Sequence, residues 1–439
     1  KNKETPAPSQ KPSATPTFPP VVTPTLNPSA APLSKPPSTP SPTSSTDGNN
    51  GLLSYRPGDF SNNARSNDGM LVLSNGLSCT RIATSGQPVA LVNGLSSTEL
   101  FHDQPDGAAV FEKDNGGWYY VSNSEIVQMG TCWNCGGVGA IEFNDLGQVV
   151  GYKRIVGNTR KNCGGGKSPW SSWITCEETK TEDYLGKVYQ VDPTGERPHE
   201  LTAFGELGMY ESFAFDDSTD VPTFYVTRDD PFGVLTRFTP NAAGMECYNK
   251  PNDYDRWCTL NHGDIDYLVL SGPGDTGTFE WTTNETDARI SANAYYPNSE
   301  GIDAADGKVF FVSKEFKRLV ILDLAHQMYT YSSTASGAFE NQPDQVGRLV
   351  KDDDESILYF AEDGGASSGL FGRNMHGNYF TVLEGRTDDE EDEATGLAWS
   401  PDAMHMYVTY QEGGFVYDCT RDDNMPFHGA TLDIKYHAV

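Results

Sequence analysis

Residues Ser172–Glu178 read SWITCEE, a run of branched and aromatic residues that ends in one thiol and two carboxylates. The run has the composition of a short strand. Five other segments repeat the form: Tyr119–Glu125 (YYVSNSE), Phe224–Asp230 (FYVTRDD), Phe310–Phe316 (FFVSKEF), Leu358–Gly364 (LYFAEDG) and Met406–Glu412 (MYVTYQE). Aligned, Asn123, Cys176, Arg228, Lys314, Glu362 and Tyr410 occupy equivalent places, at spacings of 53, 52, 86, 48 and 48 residues. That is the period of a propeller blade. The long interval holds Cys247, Cys258 and the sequon Asn284–Thr286, so it reads as a blade plus an insertion. Turn signals such as Asp306–Gly307 and Pro401–Asp402 sit beside the strands. The spacing predicts an all-β fold, a β-propeller of six blades.

Upstream of SWITCEE, Cys163 is followed by Gly164, Gly165 and Gly166, then by Ser168–Pro169–Trp170. Glycines let a backbone approach something closely. Gly157–Thr179 is therefore either a metal site or a surface turn around a buried structural cysteine. It is no phosphate-cradling Walker loop, because the spacing of Gly166–Lys167–Ser168 from an earlier glycine fails. A nucleophile-elbow pattern is also missing.

In a propeller the blades converge on a central channel, so equivalent strands present their ends there. Glu125, Glu177, Glu178, Asp229 and Asp363 end such strands. A second set lies upstream of them, in Glu211 (YESFAFD), Glu300 (SEGIDAADG) and Glu393 (DEATGLAWSPD). Packed carboxylates repel unless cations compensate. The set reads as a multi-cation site at the channel mouth; the plainer reading is that the acids face water. His102, next to Pro105–Asp106–Gly107, reads as a surface loop residue or as a further ligand, and Asp388–Glu393 as a solvated acidic loop.

The chain has 439 residues, and 13 of its 28 prolines fall within residues 1–50, interleaved with Ser and Thr. Such a segment buries too little apolar surface to offset its ordering entropy, so a disordered Pro/Ser/Thr-rich stalk is expected there. Residues 51–439 are expected to form the propeller domain. Net charge is −30, and because the stalk's four lysines outnumber its two acids, the body carries about −32. This excludes nucleic-acid binding, which needs Lys and Arg to neutralise phosphates. No apolar run reaches the ~18 residues of a membrane span. No signal-peptide pattern opens the sequence, so it reads as a mature or trimmed form. There are eight cysteines. Cys247 and Cys258 read as a local disulfide, Cys132-x-x-Cys135 lacks the second pair that zinc requires, and Cys79 and Cys419 are expected to meet where the ring closes. Stalk and cysteines together point to a secreted protein.

The succession GGWYYVSNSE, GGVGAIEF, NCGGGKSPWSSWITCEE, YESFAFD, FYVTRD, SEGID, YFAEDG and TGLAWSPD resembles the PhoX-type alkaline phosphatases and their secreted relatives, from about Asn75 to Gln411. The resemblance implies a six-bladed propeller that hydrolyses phosphomonoesters at a cluster of ferric iron and calcium. It implies Cys176 as a thiolate ligand to iron, and Asn123, Glu177, Glu211, Glu300 and Glu393 as iron or calcium ligands. Two departures stand out. Asn298 replaces an arginine expected to grip phosphate, and Arg228 places a cation where the family often has an acid. Arg228 and Asn298 are thus the expected substrate contacts. The alternative is a non-catalytic, calcium-binding surface propeller whose partners are extracellular-matrix or cell-wall components.

Overall fold

Each repeated segment is the second strand of an antiparallel meander: Trp118–Ser124, Trp173–Glu177, Thr223–Arg228, Lys308–Ser313, Ile357–Asp363 and His405–Tyr410. These strands are buried on both faces, which is why they read as near-continuous apolar runs rather than as alternation. The structure is a computed structural model, and it describes residues 65–334, 341–349, 357–365, 367–374, 377–386, 392–427 and 435–436. The Pro-rich stalk and most of the Asp388–Glu393 run lie outside these residues.

Every second strand pairs with a first strand before it and a third after it. The first strands are Pro105–Glu112, Asn162–Lys167, Tyr210–Asp216, Ser299–Ala305, Gln342–Leu349 and Ala394–Trp399. Each first strand packs on the next, and Ala394–Trp399 returns to Pro105–Glu112, closing a ring. The fold is all-β with a propeller-like arrangement. Apolar side chains fill the spaces between neighbouring sheets, as where Val121 and Val138 meet Trp173 and Val191. Asp306 and Gly307, at φ 53° and 70°, form the two-residue turn between Ala305 and its partner Lys308. Positive φ at both turn residues matches the twist of a hairpin.

The long interval holds more than one insertion. The Cys247–Cys258 disulfide ties the helix Ala242–Tyr248 to the short turn Trp257–Asn261, between the third strand Thr236–Pro240 and the fourth strand Gly263–Ser271. An extra strand, Thr276–Thr282, then pairs with Gly263–Ser271 on one side and Met328–Ser333 on the other. It merges two meanders into a nine-stranded sheet and covers two edges that would otherwise be open. No helix among the described residues is long and apolar enough to cross a membrane.

Closure uses both ends of the described chain. Leu77–Thr84 completes the sheet of His405–Tyr410 and Phe415–Arg421, with Cys79 opposite Cys419 and a disulfide between them. The bond spans 340 residues of sequence, so it constrains a very large loop in the unfolded chain. Replacing both cysteines by serine should lower unfolding free energy by about 4 kcal/mol, read from a urea melt. An unchanged midpoint would show that strand pairing alone holds the closure.

Candidate functional site

The first strands share an irregularity near their starts. Each ladder to the second strand skips two residues: Pro105 faces Ser124 but the next pair is Ala108 with Ser122, and Tyr210 faces Arg228 but the next is Phe213 with Val226. The same skip separates Ser299 from Ile302, Pro343 from Val346, Thr395 from Ala398, and Asn162 from Gly165. Such a bulge re-aims the unpaired side chain. The first skipped residues are Asp106, Cys163, Glu211, Glu300, Asp344 and Gly396. Five of the six bulges therefore deliver a thiol or carboxylate to the same level of the ring. At the sixth, Glu393 comes from just ahead of the strand.

A glycine follows Asp106, Cys163 and Glu300 and lets the strands close in. A Cβ on Gly107 would lie 2.7 Å from the Gly164 Cα, and one on Gly301 would lie 2.6 Å from the Asp344 carbonyl oxygen. Only glycine fits at these two contacts.

The delivered atoms form four overlapping trios: Asp106–Glu125–Cys163, Cys163–Glu178–Glu211, Glu211–Glu300–Asp344 and Asp344–Asp106–Glu393, with ligand atoms in each trio within 4.8 Å of one another. Cys163, Glu211, Asp344 and Asp106 each belong to two trios, so the trios close into a cycle. Two oxygens on one calcium ion are at most about 5 Å apart. The spacing thus fits cations. Chemistry agrees: the buried Oδ2 of Asp106, Oε2 of Glu211 and Oε1 of Glu300 have no hydrogen-bond partner among the described residues. A buried carboxylate oxygen left without a partner is costly.

The electrostatics follow from crowding in a dry site. Burial, then the charges of Glu125 and Asp344, pushes Asp106 up to about 8. Burial and Glu125 push Glu178 up to about 8, and burial raises Asp344 to about 7. Burial likewise drives Glu211, Glu300 and Glu393 well above the usual carboxylate range, and holds Cys163 as a thiol. That thiol donates to Glu211 Oε1 at 3.1 Å.

Two ammonium groups enter the ring. Lys161 Nζ lies 2.9 Å from both Glu125 and Glu178. Lys314 Nζ lies 2.6 Å from Asp363, 3.6 Å from Glu300 and 4.0 Å from Asp229. These acids raise the pKa of both lysines despite the opposing effect of burial.

Of the residues expected from the sequence, Glu211, Glu300 and Glu393 are in the cycle. Asn123 is beside it: its Nδ2 donates to the Cys163 and Gly164 carbonyls at 2.6 Å, and its Oδ1 accepts from Trp173 and Thr175. It fixes the backbone that carries the thiol. Cys176 packs with Ile174, Val188 and Phe204 in an apolar cluster, and the thiol among the carboxylates is that of Cys163. Glu177 accepts from Tyr184 Oη and from the Arg160 and Lys187 amides. Arg228 is fully buried and donates to the Gly208 and Leu207 carbonyls. Asn298, at φ 52°, donates to Asp229. His102 is buried rather than on the surface, between Tyr152 Oη and Ser122 Oγ, and burial keeps it neutral.

Sequence reasoning passed over Asp106, Cys163, Asp344 and Lys161. For Asp106 and Cys163 the available signal was an acid or thiol followed by a small residue near the start of a first strand, as in PDG, NCG, YES and SEG; Asp344, in PDQ, and Lys161 do not carry it.

A family model described as alkaline phosphatase PhoX matches residues 139–282. No curated protein matches the chain by sequence. Among solved structures, Pseudomonas fluorescens PhoX in complex with vanadate, a transition state analogue, superposes with a TM-score of 0.63 at 15% identity, covering 87% of this chain and 100% of that one. At that identity the likeness concerns the fold. A gluconolactonase of Xanthomonas campestris matches at a TM-score of 0.41 and 12% identity, over 80% of this chain and 99% of that one. A structural-genomics protein of Bacteroides thetaiotaomicron matches at 0.47 and 10%, over 79% and 76%.

Proposed function

Taking the chain's resemblance to the PhoX-type alkaline phosphatases as premise, we propose that it is a secreted, metal-dependent phosphomonoesterase: a six-bladed propeller, residues 51–439, carried on a Pro-rich stalk, residues 1–50. The blade count follows from the six bulged first strands, with the nine-stranded sheet counted as two blades joined by Thr276–Thr282. The observation that carries the function is the closed cycle of four ligand trios.

Cys163 supplies the soft donor suited to iron, and the surrounding carboxylates supply hard oxygens suited to calcium. Bound cations in such a site polarise phosphoryl oxygens and neutralise charge in an in-line displacement. The chain's own contribution is positioning. The bulges set where each ligand points, Asn123 braces the Cys163 backbone, and burial keeps bulk water from the carboxylates. Lys314 and Lys161 present ammonium groups at the same level, where an anionic phosphoryl group needs positive charge. They take over the role expected of Arg228, whose Nε and Nη2 donate to backbone carbonyls. Asn298 acts on Asp229 and through it on Lys314.

The test combines metal analysis with turnover of p-nitrophenyl phosphate. The purified protein should contain iron and calcium and cleave the ester. Cys163→Ser should lose iron, and Glu211→Gln should reduce turnover by about 100-fold or more. Cys176→Ser should retain iron. A chain that binds calcium alone and cleaves no phosphomonoester would instead be a structural propeller.

A further inference from the structure

The strands Trp118–Ser124 and Gly137–Phe143 are joined by a loop, residues 125–136, that starts at Glu125, a member of the carboxylate cycle. The loop lies against a second segment, residues 157–161, which ends at Lys161, the ion-pair partner of Glu125. Backbone hydrogen bonds join the two. The Asn158 amide donates to the Gly130 carbonyl at 2.7 Å, and the Lys161 amide to the Ile126 carbonyl at 2.9 Å. Elsewhere in the loop the Trp133 carbonyl accepts from the Asp103 amide at 2.9 Å. Asp103 lies three residues before Asp106, and Lys161 two before Cys163. The loop thus braces the backbone that leads into the Asp106–Glu125–Cys163 trio from two sides.

Within the loop a disulfide, Cys132–Cys135, joins an outer arm to an anchored base. Cys135 is fully buried, and its carbonyl accepts from Ser124 Oγ at 3.0 Å and from Arg154 Nη2 at 2.8 Å. The arm is held less firmly. Cys132 is half-buried, and Val127, Met129 and Trp133 are 58%, 44% and 37% exposed. A segment that buries so little apolar surface opens locally at low cost. Gly130 makes the mechanical link, because a Cβ there would lie 2.8 Å from Cys135 Sγ. The disulfide therefore packs directly on the residue whose carbonyl holds Asn158.

We propose that Cys132–Cys135 is a redox switch on the carboxylate cycle, opened by a small dithiol. Opening it releases residues 157–161 and weakens cation binding at the Asp106–Glu125–Cys163 trio, a consequence that rests on the metal reading of the cycle. A thiolate of the reductant attacks Sγ of Cys132, the less buried of the two residues, and forms a mixed disulfide. The S–S electron pair leaves on Cys135 Sγ, which takes up a proton. The second thiolate of the reductant then displaces Cys132 Sγ, which is protonated in turn. Two protein thiols and one cyclic disulfide of the oxidised reductant result.

The test adds graded dithiothreitol to the full chain, traps thiols with iodoacetamide and follows amide exchange by peptide mass. Cys132 and Cys135 should be alkylated at a concentration about tenfold or more below that which opens Cys79–Cys419, whose residues are buried in paired strands. Exchange at Asn158 and Lys161 should then rise about tenfold. Calcium should bind about tenfold more weakly. The double variant Cys132→Ser, Cys135→Ser should reproduce both changes without reductant, and reoxidation of the parent chain should reverse them. The pair Cys247→Ser, Cys258→Ser, in the insertion, should cause neither. Opening of Cys79–Cys419 first, or unchanged exchange at Asn158 and Lys161 once Cys132–Cys135 is reduced, overturns the switch. Calcium bound equally tightly by both forms overturns its link to the cycle. A parent chain that binds no calcium overturns the metal reading instead, and amide exchange then decides the switch by itself.

Discussion

Stripped of its cations, the chain should melt at a lower temperature at pH 8 than at pH 5, by more than about 10 °C, and metal should abolish the difference. Asp106 and Glu178 are pushed up to about 8 and Asp344 to about 7 in the fold, and burial raises Glu211, Glu300 and Glu393 well above the usual carboxylate range. In the unfolded chain the same groups titrate near 4. The folded state therefore binds more protons, and stability falls as pH rises from about 4 to about 8. Lys161 and Lys314, whose pKa is raised as well, also lose stability with rising pH, but only above about 10, outside this window. A tenfold change in a carboxyl's proton affinity corresponds to about 1.4 kcal/mol, against a total stability of about 5–15 kcal/mol. Cations remove the effect by stabilising the charged forms that the empty site disfavours. Differential scanning calorimetry with and without chelator decides the matter. Identical, pH-independent melts in both would mean that the carboxylate cycle holds no metal.

The fold was more legible than the site, and the reason lies in which strands carry each. Second strands such as Phe310–Ser313 and Met406–Tyr410 are buried on both faces, so their apolar runs stand out and their spacing reports the blade period. First strands carry the converging acids and thiol, and their signal is diluted by the features that bring those groups together. Bulges break the two-residue alternation, and glycines at Gly107, Gly164 and Gly301 depress strand propensity where neighbours must close in. Asp106 in PDG looks like an ordinary turn residue for both reasons, and Asp344 in PDQ for the first alone.

The two cysteines were separable in principle. Side chains alternate along Trp173–Glu177, so Cys176 shares a face with Ile174, and both lie in one apolar cluster. Thr175 lies on the other face and donates to Asn123. Apolar Ile174 two residues before the thiol was thus a sign that Cys176 points into packing. Lys161 precedes its strand in a loop, and nothing local marks it as the partner of Glu125, which is far away in sequence. Packing of the second blade on the first brings them together, where the Lys161 amide also donates to the Ile126 carbonyl.

Lys314→Ala should raise the calcium content of the purified protein by about one ion per chain. The ammonium of Lys314 stands among Asp363, Glu300 and Asp229, the kind of oxygen cage a divalent cation would occupy. Its side chain is 24% exposed and that of Glu300 only 2%, so the pair with Glu300 is largely desolvated. Removing one partner of a buried ion pair costs about 3–5 kcal/mol when the other charge stays uncompensated. In chelator the variant should lose stability on that scale. In millimolar calcium the loss should disappear, because the vacated cage regains a cation by mass action. Lys314→Met, with a side chain of similar length, separates charge from packing and should behave like the alanine variant. The same substitution bears on function. An ammonium that only neutralises acids can be replaced by calcium with turnover kept, whereas one that grips the phosphoryl group directly cannot. Full recovery of p-nitrophenyl phosphate turnover in calcium would assign Lys314 the first role. Restored stability with turnover still reduced about tenfold or more, carried mainly in KM, would assign it the second. Unchanged calcium content and unchanged stability in chelator would show that Lys314 is not a resident cation of the cycle.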